Sequence, residues 1–227
     1  WGSELYARMG GAKSQLPLST SVNTSGVTVE NRKLLTNRVV NSTTAVATEG
    51  TSLTRINRAD WASNDTKRTE IMSLLDLRQL GAVMHSSPLL LSNEGKMTYN
   101  TSTQKLESSG RDDYVLFGTT QGLLHVVKAD DYTATNGGGK EIFAFVPNEM
   151  IENQSKAFLT PESSTGGTAN LFYGIDAPWT AYTEYVPKSD GTLTVGTGKV
   201  TTGTTTLQGK QLVYGGLRMG GRSYYSL

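Results

Sequence analysis

The sequence from 115 to 127 reads Val-Leu-Phe-Gly-Thr-Thr-Gln-Gly-Leu-Leu-His-Val-Val, and it decides the fold class of this chain. Two apolar runs, Val115–Gly118 and Leu123–Val127, flank a short polar connection that ends in Gly122, which is the pattern of a β-hairpin. After a glycine-rich gap, the apolar run Ile142–Val146 predicts a third strand. Strands joined in this order form a meander, the unit from which β-propeller blades are built.

Length and composition narrow the classes of protein and partner. The chain has 227 residues, a net charge of +1 and no cysteine. The lack of cysteine excludes disulfides and thiolate metal sites, and the dispersed Lys and Arg residues give no basic surface for nucleic acid. No apolar run has the length that a membrane-spanning helix requires. We therefore expect neither a nucleic acid partner nor a membrane-spanning segment.

Helical structure is predicted in two places. A helix over 66–80 is indicated by apolar residues at helical spacing between charged ones; they are Ile71, Leu74, Leu75 and Leu77. Asp65 or Thr66 is the expected cap of this helix, and Gly81 is its expected stop. A second, short helix is expected over 149–158.

The remaining pattern divides the chain into two parts. Residues 1–65 predict an irregular leading segment with short strands, and residues 66–227 predict an incomplete propeller portion. Polar loops are expected at 92–113, 148–170 and 187–211, the last one with a small exposed hairpin. The further strands are expected at Val83–His85, Leu89–Leu91, Leu171–Tyr173, Trp179–Val186, Thr192–Val195, Lys199–Thr201, Leu212–Gly216 and Tyr224–Leu227.

A diverged internal repeat supports the propeller interpretation. Val115–Gly118 and Val213–Gly216 occupy like positions 98 residues apart, and a strand with an embedded proline, Pro88 or Pro178, precedes each of them. A blade needs about 40–50 residues, so these blades would carry long insertions. The second copy stops before its counterpart of Ile142–Val146. Because two blades cannot close a ring of four to eight, we expect this chain to be a piece of a larger propeller.

The motifs over 80–227 have a characteristic order and spacing. They are Leu80-Gly81-x-Val83-x-His85-Ser86-Ser87-Pro88, Gly122-Leu123-Leu124-His125, Gly139-Lys140-Glu141-x-Phe143-Ala144-Phe145-Val146-Pro147, Tyr173-Gly174-x-Asp176-Ala177-Pro178 and Gly220-Gly221-Arg222-x-Tyr224-Tyr225-x-Leu227. Together they resemble the C-terminal propeller of type IV pilus tip-associated adhesins and biogenesis factors, the PilC/PilY group of Gram-negative bacteria. The chain departs from this family at Ala82 and Gln211, where the family usually has Asp and Trp.

The resemblance implies an all-β fold, a partial β-propeller with quinoprotein-like blades, and a non-enzymatic role in pilus assembly and in adhesion to host or abiotic surfaces. The implied partners are minor pilins or pilus tip components and a host-cell receptor of unknown identity. The implied location is the pilus tip or the outer membrane surface. Calcium is implied only for a downstream part of the parent protein, because Ser189-Asp190-Gly191 lacks the alternating oxygen ligands of a calcium loop. We propose no catalytic, cofactor-binding or metal residue within this chain.

Two other functions stay open. The first is a quinoprotein-type dehydrogenase, because Ala129-Asp130-Asp131 and Gly139-Lys140-Glu141 are similar to the blade-closing pattern of those enzymes. Phe143 or Phe145, however, stands where their docking Trp would be. The second is a purely structural scaffold of a bacterial surface assembly.

Several polar and aromatic residues have a structural interpretation in the sequence. We expect His85 and His125 to hydrogen-bond neighbouring backbone and to fix the packing of strands. We expect the pairs Asp112-Asp113 and Asp130-Asp131 to be turn residues whose carboxylates accept local backbone hydrogen bonds. The larger aromatic residues are expected in the core; they are Trp61, Trp179, Tyr182, Tyr185, Tyr224 and Tyr225.

Overall fold

The computed structural model describes residues 12, 15–16, 20–77, 80–131, 137–158, 172–200 and 206–227, and this part of the chain is mostly β. Its strands are β1 (Thr20–Val22), β2 (Thr28–Glu30), β3 (Leu34–Val40), β4 (Ala47–Arg55), β5 (Leu89–Asn100), β6 (Lys105–Gly118), β7 (Leu124–Lys128), β8 (Glu141–Phe145), β9 (Thr180–Glu184), β10 (Val186–Pro187), β11 (Leu193–Thr194), β12 (Thr197–Val200), β13 (Thr206–Gln208), β14 (Lys210–Gly216) and β15 (Tyr224–Ser226). The helices are α1 (Arg68–Asp76) and α2 (Asn148–Gln154), with 3₁₀ helices at Ser155–Phe158 and Arg218–Gly220.

Two sheets carry the architecture. The larger is a curled, half-barrel sheet of eight strands in the order β10-β11-β5-β6-β7-β8-β3-β4, in which only the β3–β8 pair is parallel. The smaller has the order β15-β14-β9 and is antiparallel. Two further pairs, β1–β2 and β12–β13, form separate ribbons. The all-β prediction is therefore confirmed at the level of fold class.

The predicted meander is present at the centre of the large sheet. The first run forms the end of β6, the second forms β7 and the third forms β8, and these three strands are antiparallel to one another in sequence order. The connection closes because Thr119 N–H donates to the carbonyl of Leu123 at 3.0 Å. Gly122 has a φ of +88°, a conformation that glycine adopts without steric cost.

The expected loop at 92–113 is wrong. These residues continue β5 and β6 as one long antiparallel hairpin, with Lys96 opposite Ser109 and Tyr99 opposite Leu106. The polarity that favoured a loop reflects solvent on both faces of the ribbon rather than absent strand pairing. The strand expected at Val83–His85 is also wrong, since β5 begins only at Leu89.

The two predicted helices form, and the first is shorter than expected. Asp65 accepts a hydrogen bond from the backbone N–H of Lys67 at 2.9 Å, which supports the start of α1. The helix ends at Asp76, well before Gly81, because the Arg32 guanidinium donates to the carbonyls of Leu74 and Leu77 and closes its end. The second helix appears as α2 continued by the 3₁₀ turn that ends at Phe158.

The late strands pair differently from the prediction. The expected hairpin between 192–195 and 199–201 is wrong, because β11 pairs with β10 and β5 whereas β12 pairs with β13. Phe172 and Tyr173 lie outside any strand, and Leu171 and Thr201 lie outside the described residues. The final strand pair is confirmed as β14–β15, with β9 on its other edge.

Each copy of the internal repeat lies on the central strand of a three-stranded unit. In the large sheet Leu116 lies opposite Leu89 on β5 and Val126 on β7. In the small sheet the residue 98 positions later, Tyr214, lies opposite Thr180 on β9 and Ser226 on β15. The units β5-β6-β7 and β9-β14-β15 therefore both have the repeated run on the central strand of three antiparallel strands.

The core joins both sheets and the helices. Leu74 of α1, Phe145 of β8 and Val213 of β14 belong to one buried cluster. Tyr225 packs edge-on against Phe145 and stacks on Trp179, so aromatic contacts connect the small sheet to the large one. The expectation of a core position is wrong for three tyrosines, which are exposed on the surface: Tyr182, Tyr185 and Tyr224.

Candidate functional site

The outer half of the β5–β6 hairpin is the surface with the strongest recognition character. Met97 and Tyr99 on β5 share one face of the ribbon with Leu106 and Ser108 on β6, as the register shows. Met97, Tyr99 and Leu106 are 57%, 59% and 68% exposed. The opposite face carries Lys96, Thr98, Asn100, Lys105 and Glu107. One side of this ribbon is therefore apolar and available, and the other is polar.

The apolar face continues at the base of the hairpin into a shallow cleft of about 250 Å³. Met97 and Ser108 form one side of this cleft, and Tyr185 and Leu193 form the other. Tyr185 is held in place because its hydroxyl donates to the carbonyl of Ser92 at 2.6 Å. We call the hairpin face and this cleft together the hairpin surface. Its aromatic and aliphatic groups on a polar rim are typical of protein-recognition surfaces.

The predicted loop at 187–211 contributes to the same region. Leu193 of β11 pairs with Gly95 of β5, and Lys188 forms an ion pair with Glu94 at 2.7 Å. Glu94 accepts hydrogen bonds from Lys188 and Thr194, and both lower its pKa, the one from Lys188 more strongly. The predicted loop at 148–170 does not join this region in the described part, where residues 148–158 are helical; residues 159–170 lie outside the described part.

His85 belongs to a small surface cluster with a buried carboxylate. Its Nδ1 donates to Asp176 Oδ1 at 2.8 Å, and Arg218 donates to Asp176 Oδ2 at 3.2 Å. The Asp176 side chain is buried while both partners are about half exposed. The expected backbone partner of His85 is thus replaced by a carboxylate, and this contact connects the segment before β5 to the segment before β9.

His125 lies in a fully buried charge network. Its Nδ1 donates to Glu141 at 2.8 Å, and Arg32 donates to both oxygens of that carboxylate at 2.9 and 3.2 Å. Burial lowers the pKa of His125. Burial alone would raise the pKa of Glu141, but the hydrogen bond from His125 and the charge of Arg32 hold it at about 2. The network connects β7, β8 and the segment after β2.

A second buried ion cluster fixes α1 and α2 against β3. The Arg38 guanidinium donates to both Asp65 oxygens at 3.0 and 2.6 Å and to Asn148 Oδ1 at 2.8 Å. It also contacts Glu152. Burial would raise the pKa of Asp65, but the hydrogen bonds from Arg38 and from the Lys67 backbone lower it. Sequence reasoning missed this cluster because its members are 27 and 110 residues apart.

The predicted turn role is confirmed for Asp130 and is wrong for Asp112 and Asp113. Asp130 accepts a local hydrogen bond from the backbone N–H of Asp131, as expected of a turn. Asp112 and Asp113 instead lie within β6, where Lys128 and Arg111 pair with them at 2.6 and 2.7 Å.

Within the described residues, no three His, Asp or Glu side chains converge in a way that could hold a metal ion. None of the helices in that part of the chain is long and apolar enough to cross a membrane. Comparison of the chain with models of protein families, with curated protein sequences and with solved structures finds no match.

Proposed function

We propose that this chain is part of a type IV pilus tip-associated protein of the PilC/PilY kind, acting without catalysis in pilus assembly and in adhesion to host or abiotic surfaces. Its partners in this role are minor pilins or other tip components and a surface receptor. Its place is the bacterial surface, at the pilus tip. In this proposal the two repeated three-stranded units are neighbouring blades of a propeller.

The observation that carries the proposal is the match between the repeat and the family-like motifs. The motif that contains Pro88 precedes β5 and the motif that contains Pro178 precedes β9, so each introduces one unit. The glycine-rich motif at 220–221 precedes β15, the last strand of the second unit. Motifs that occupy equivalent positions in two units of the same strand arrangement are expected of blades.

The hairpin surface supports a recognition role. A rigid sheet that presents an extended hairpin with exposed Met and Tyr side chains provides contact area at low entropic cost. Binding residues also concentrate in long insertions between regular strands.

The proposal is tested by deleting the parent gene in its source bacterium and counting surface pili by electron microscopy. We expect pili to be lost and to return when pilus retraction is also blocked, while adhesion to cells or abiotic surfaces stays low. Adhesion that returns together with the pili would show a scaffold without an adhesive role. Unchanged piliation and adhesion, or quinone absorbance in the purified full-length protein, would overturn the proposal.

Complementation with paired hairpin variants sharpens this test. Replacing Met97, Tyr99 and Leu106 together by Ser removes the apolar face, whereas replacing Lys105 and Glu107 by Ser alters only the opposite face. We expect the first variant to restore pili without adhesion and the second to restore both. Equal adhesion by the two variants would exclude the hairpin surface as the adhesive element.

A further inference from the structure

A second feature is lined by residues of both sheets and shares no lining residue with the hairpin surface. It is an apolar cavity of about 340 Å³. Leu116 and Val126 line it from the large sheet, and Val213 lines it from the small one. Its volume falls within the range of small-molecule sites and is about twice that of a cavity which accepts benzene.

One polar group in this cavity has no partner. Asn93 lines the cavity, and its side-chain Oδ1 is buried and accepts no hydrogen bond from the described part of the chain. The other amide in the lining, Gln211, is occupied because its Nε2 donates to Thr183 at 3.3 Å. A buried acceptor without a donor is destabilising, so a donor on a bound molecule would be favoured at Asn93.

The lining also selects against charge. No Asp, Glu, Lys, Arg or His is among the described residues that line the cavity. The aromatic side chains Tyr114 and Phe143 contribute to its wall instead. An ionised ligand would lose its hydration here without gaining a counter-charge, whereas a neutral ring or short chain would be bound by apolar contact.

We propose that this cavity binds a neutral small molecule that has an apolar aromatic or aliphatic body and one N–H or O–H group, which donates to Asn93 Oδ1. The apolar walls provide most of the binding, and Asn93 sets the orientation of the ligand. The site does not depend on the role proposed for the hairpin surface, because the two features share no lining residue.

Indole and 1-methylindole are the matched probes for this site, because 1-methylindole has an N–CH3 group in place of the N–H that would donate to Asn93. Isothermal titration of the 227-residue protein should show indole binding three- to tenfold more tightly than 1-methylindole. In Asn93→Leu, which removes the acceptor at similar volume, we expect this preference to vanish while 1-methylindole binding is retained. No indole binding up to its solubility limit, or an unchanged preference in Asn93→Leu, would overturn the proposal.

A cavity-filling variant locates the binding site. Gln211→Trp places a large side chain at the cavity wall and should abolish the binding of both probes. Gln208→Trp makes the same chemical change on exposed β13, outside the cavity, and should bind both probes as the unaltered protein does. Retained binding in Gln211→Trp would place the probes elsewhere and overturn the proposal. Should this variant fail to fold, the Asn93→Leu comparison decides alone.

Discussion

Glu141 shows how a single buried carboxylate makes the stability of this chain depend on pH. Its pKa of about 2 lies below the ordinary 4.5, so its contribution is full above pH 4.5 and is lost as the pH falls toward 2. The difference corresponds to roughly 3 kcal/mol. The lowered pKa of His125 also makes the protein less stable at low pH. Below pH 6.5 the imidazole is protonated in the unfolded chain more readily than in the folded chain.

We therefore expect the free energy of unfolding, measured by urea titration, to be level above pH 7, to decrease below about pH 6.5, and to decrease further between pH 4.5 and 2. Glu141→Gln should be less stable at pH 7.5 by about 3 kcal/mol or more, because Arg32 stays buried without its partner. This variant should also lose less stability between pH 4.5 and 2 than the unaltered protein, and the remaining decrease comes from other carboxylates with a lowered pKa, such as Asp65.

Glu107→Gln on the exposed hairpin is the matched control, and its pH profile should follow that of the unaltered protein. An acid profile of Glu141→Gln as steep as that of Glu107→Gln would contradict the assignment of the acid transition to Glu141.

At the residue scale, the sequence identified His125 as a structural histidine but did not identify its partners. Glu141 lies 16 residues after His125 on the next strand, and the predicted meander places these two strands side by side. Arg32 lies 109 residues from Glu141, and no local pattern links the two positions. The same reason explains why Asp176 was not predicted as the partner of His85.

At the scale of elements, two connections between strands have opposite characters. The connection at 119–122 is buried: Thr120 N–H donates to the carbonyl of Ala82 and the carbonyl of Thr119 accepts from Ile175 N–H, at 3.0 and 3.1 Å. The outer part of the β5–β6 hairpin is exposed and is held chiefly by its own ladder. The connection at 119–122 therefore contributes to the stability of the fold, whereas the outer part of the hairpin contributes little to it.

Replacing residues 97–108 by Asn-Gly should therefore change the free energy of unfolding by less than about 1 kcal/mol, because the new turn follows the Lys96–Ser109 pair and removes exposed groups. Chemical denaturation followed by far-UV circular dichroism measures the change. The same Asn-Gly replacement at 119–122 should prevent folding. Similar stability of the two shortened proteins would contradict this contrast.

Strands with apolar runs were predictable, and strands without them were not. The meander and the final pair follow from such runs, as at Val213 and Val126. The outer hairpin has only a short apolar alternation, at Met97 and Tyr99 on β5, within a long polar stretch, and this signal is too short to distinguish a strand from a loop. β11 lies within the strand predicted at Thr192–Val195, but its pairing with β5 is a tertiary contact that the sequence did not indicate.

At the scale of the whole molecule, the two sheets are held together by close packing around Trp179. A Cβ atom on Gly215 of β14 would lie 2.1 Å from the Trp179 ring, so glycine is required there for the ring to lie against the small sheet. Trp179 in turn stacks on Tyr225, which contacts Phe145 of the large sheet.

Gly215→Ala should displace Trp179 and lower the free energy of unfolding by about 1–3 kcal/mol. Near-UV circular dichroism in the tryptophan region measures the change in the surroundings of Trp179, and urea denaturation measures the change in stability. Gly196→Ala is the control, because its nearest neighbour would lie at 3.5 Å and both signals should be unchanged. Equal effects of the two substitutions would show that the sheets are not joined through Trp179.

The pairing of β3 with β8 also has a consequence for the order in which the sheet forms during synthesis. Leu34 is fully buried against a strand whose residue Ala144 is synthesised 110 positions later. At a translation rate of about 5–20 residues per second, β3 waits roughly 5–20 s on the ribosome before its partner exists. During that interval only β4 covers it, on one edge. The first strand of this sheet to be made thus keeps one edge unpaired over this interval, and a newly made chain needs protection at β3 until β8 emerges.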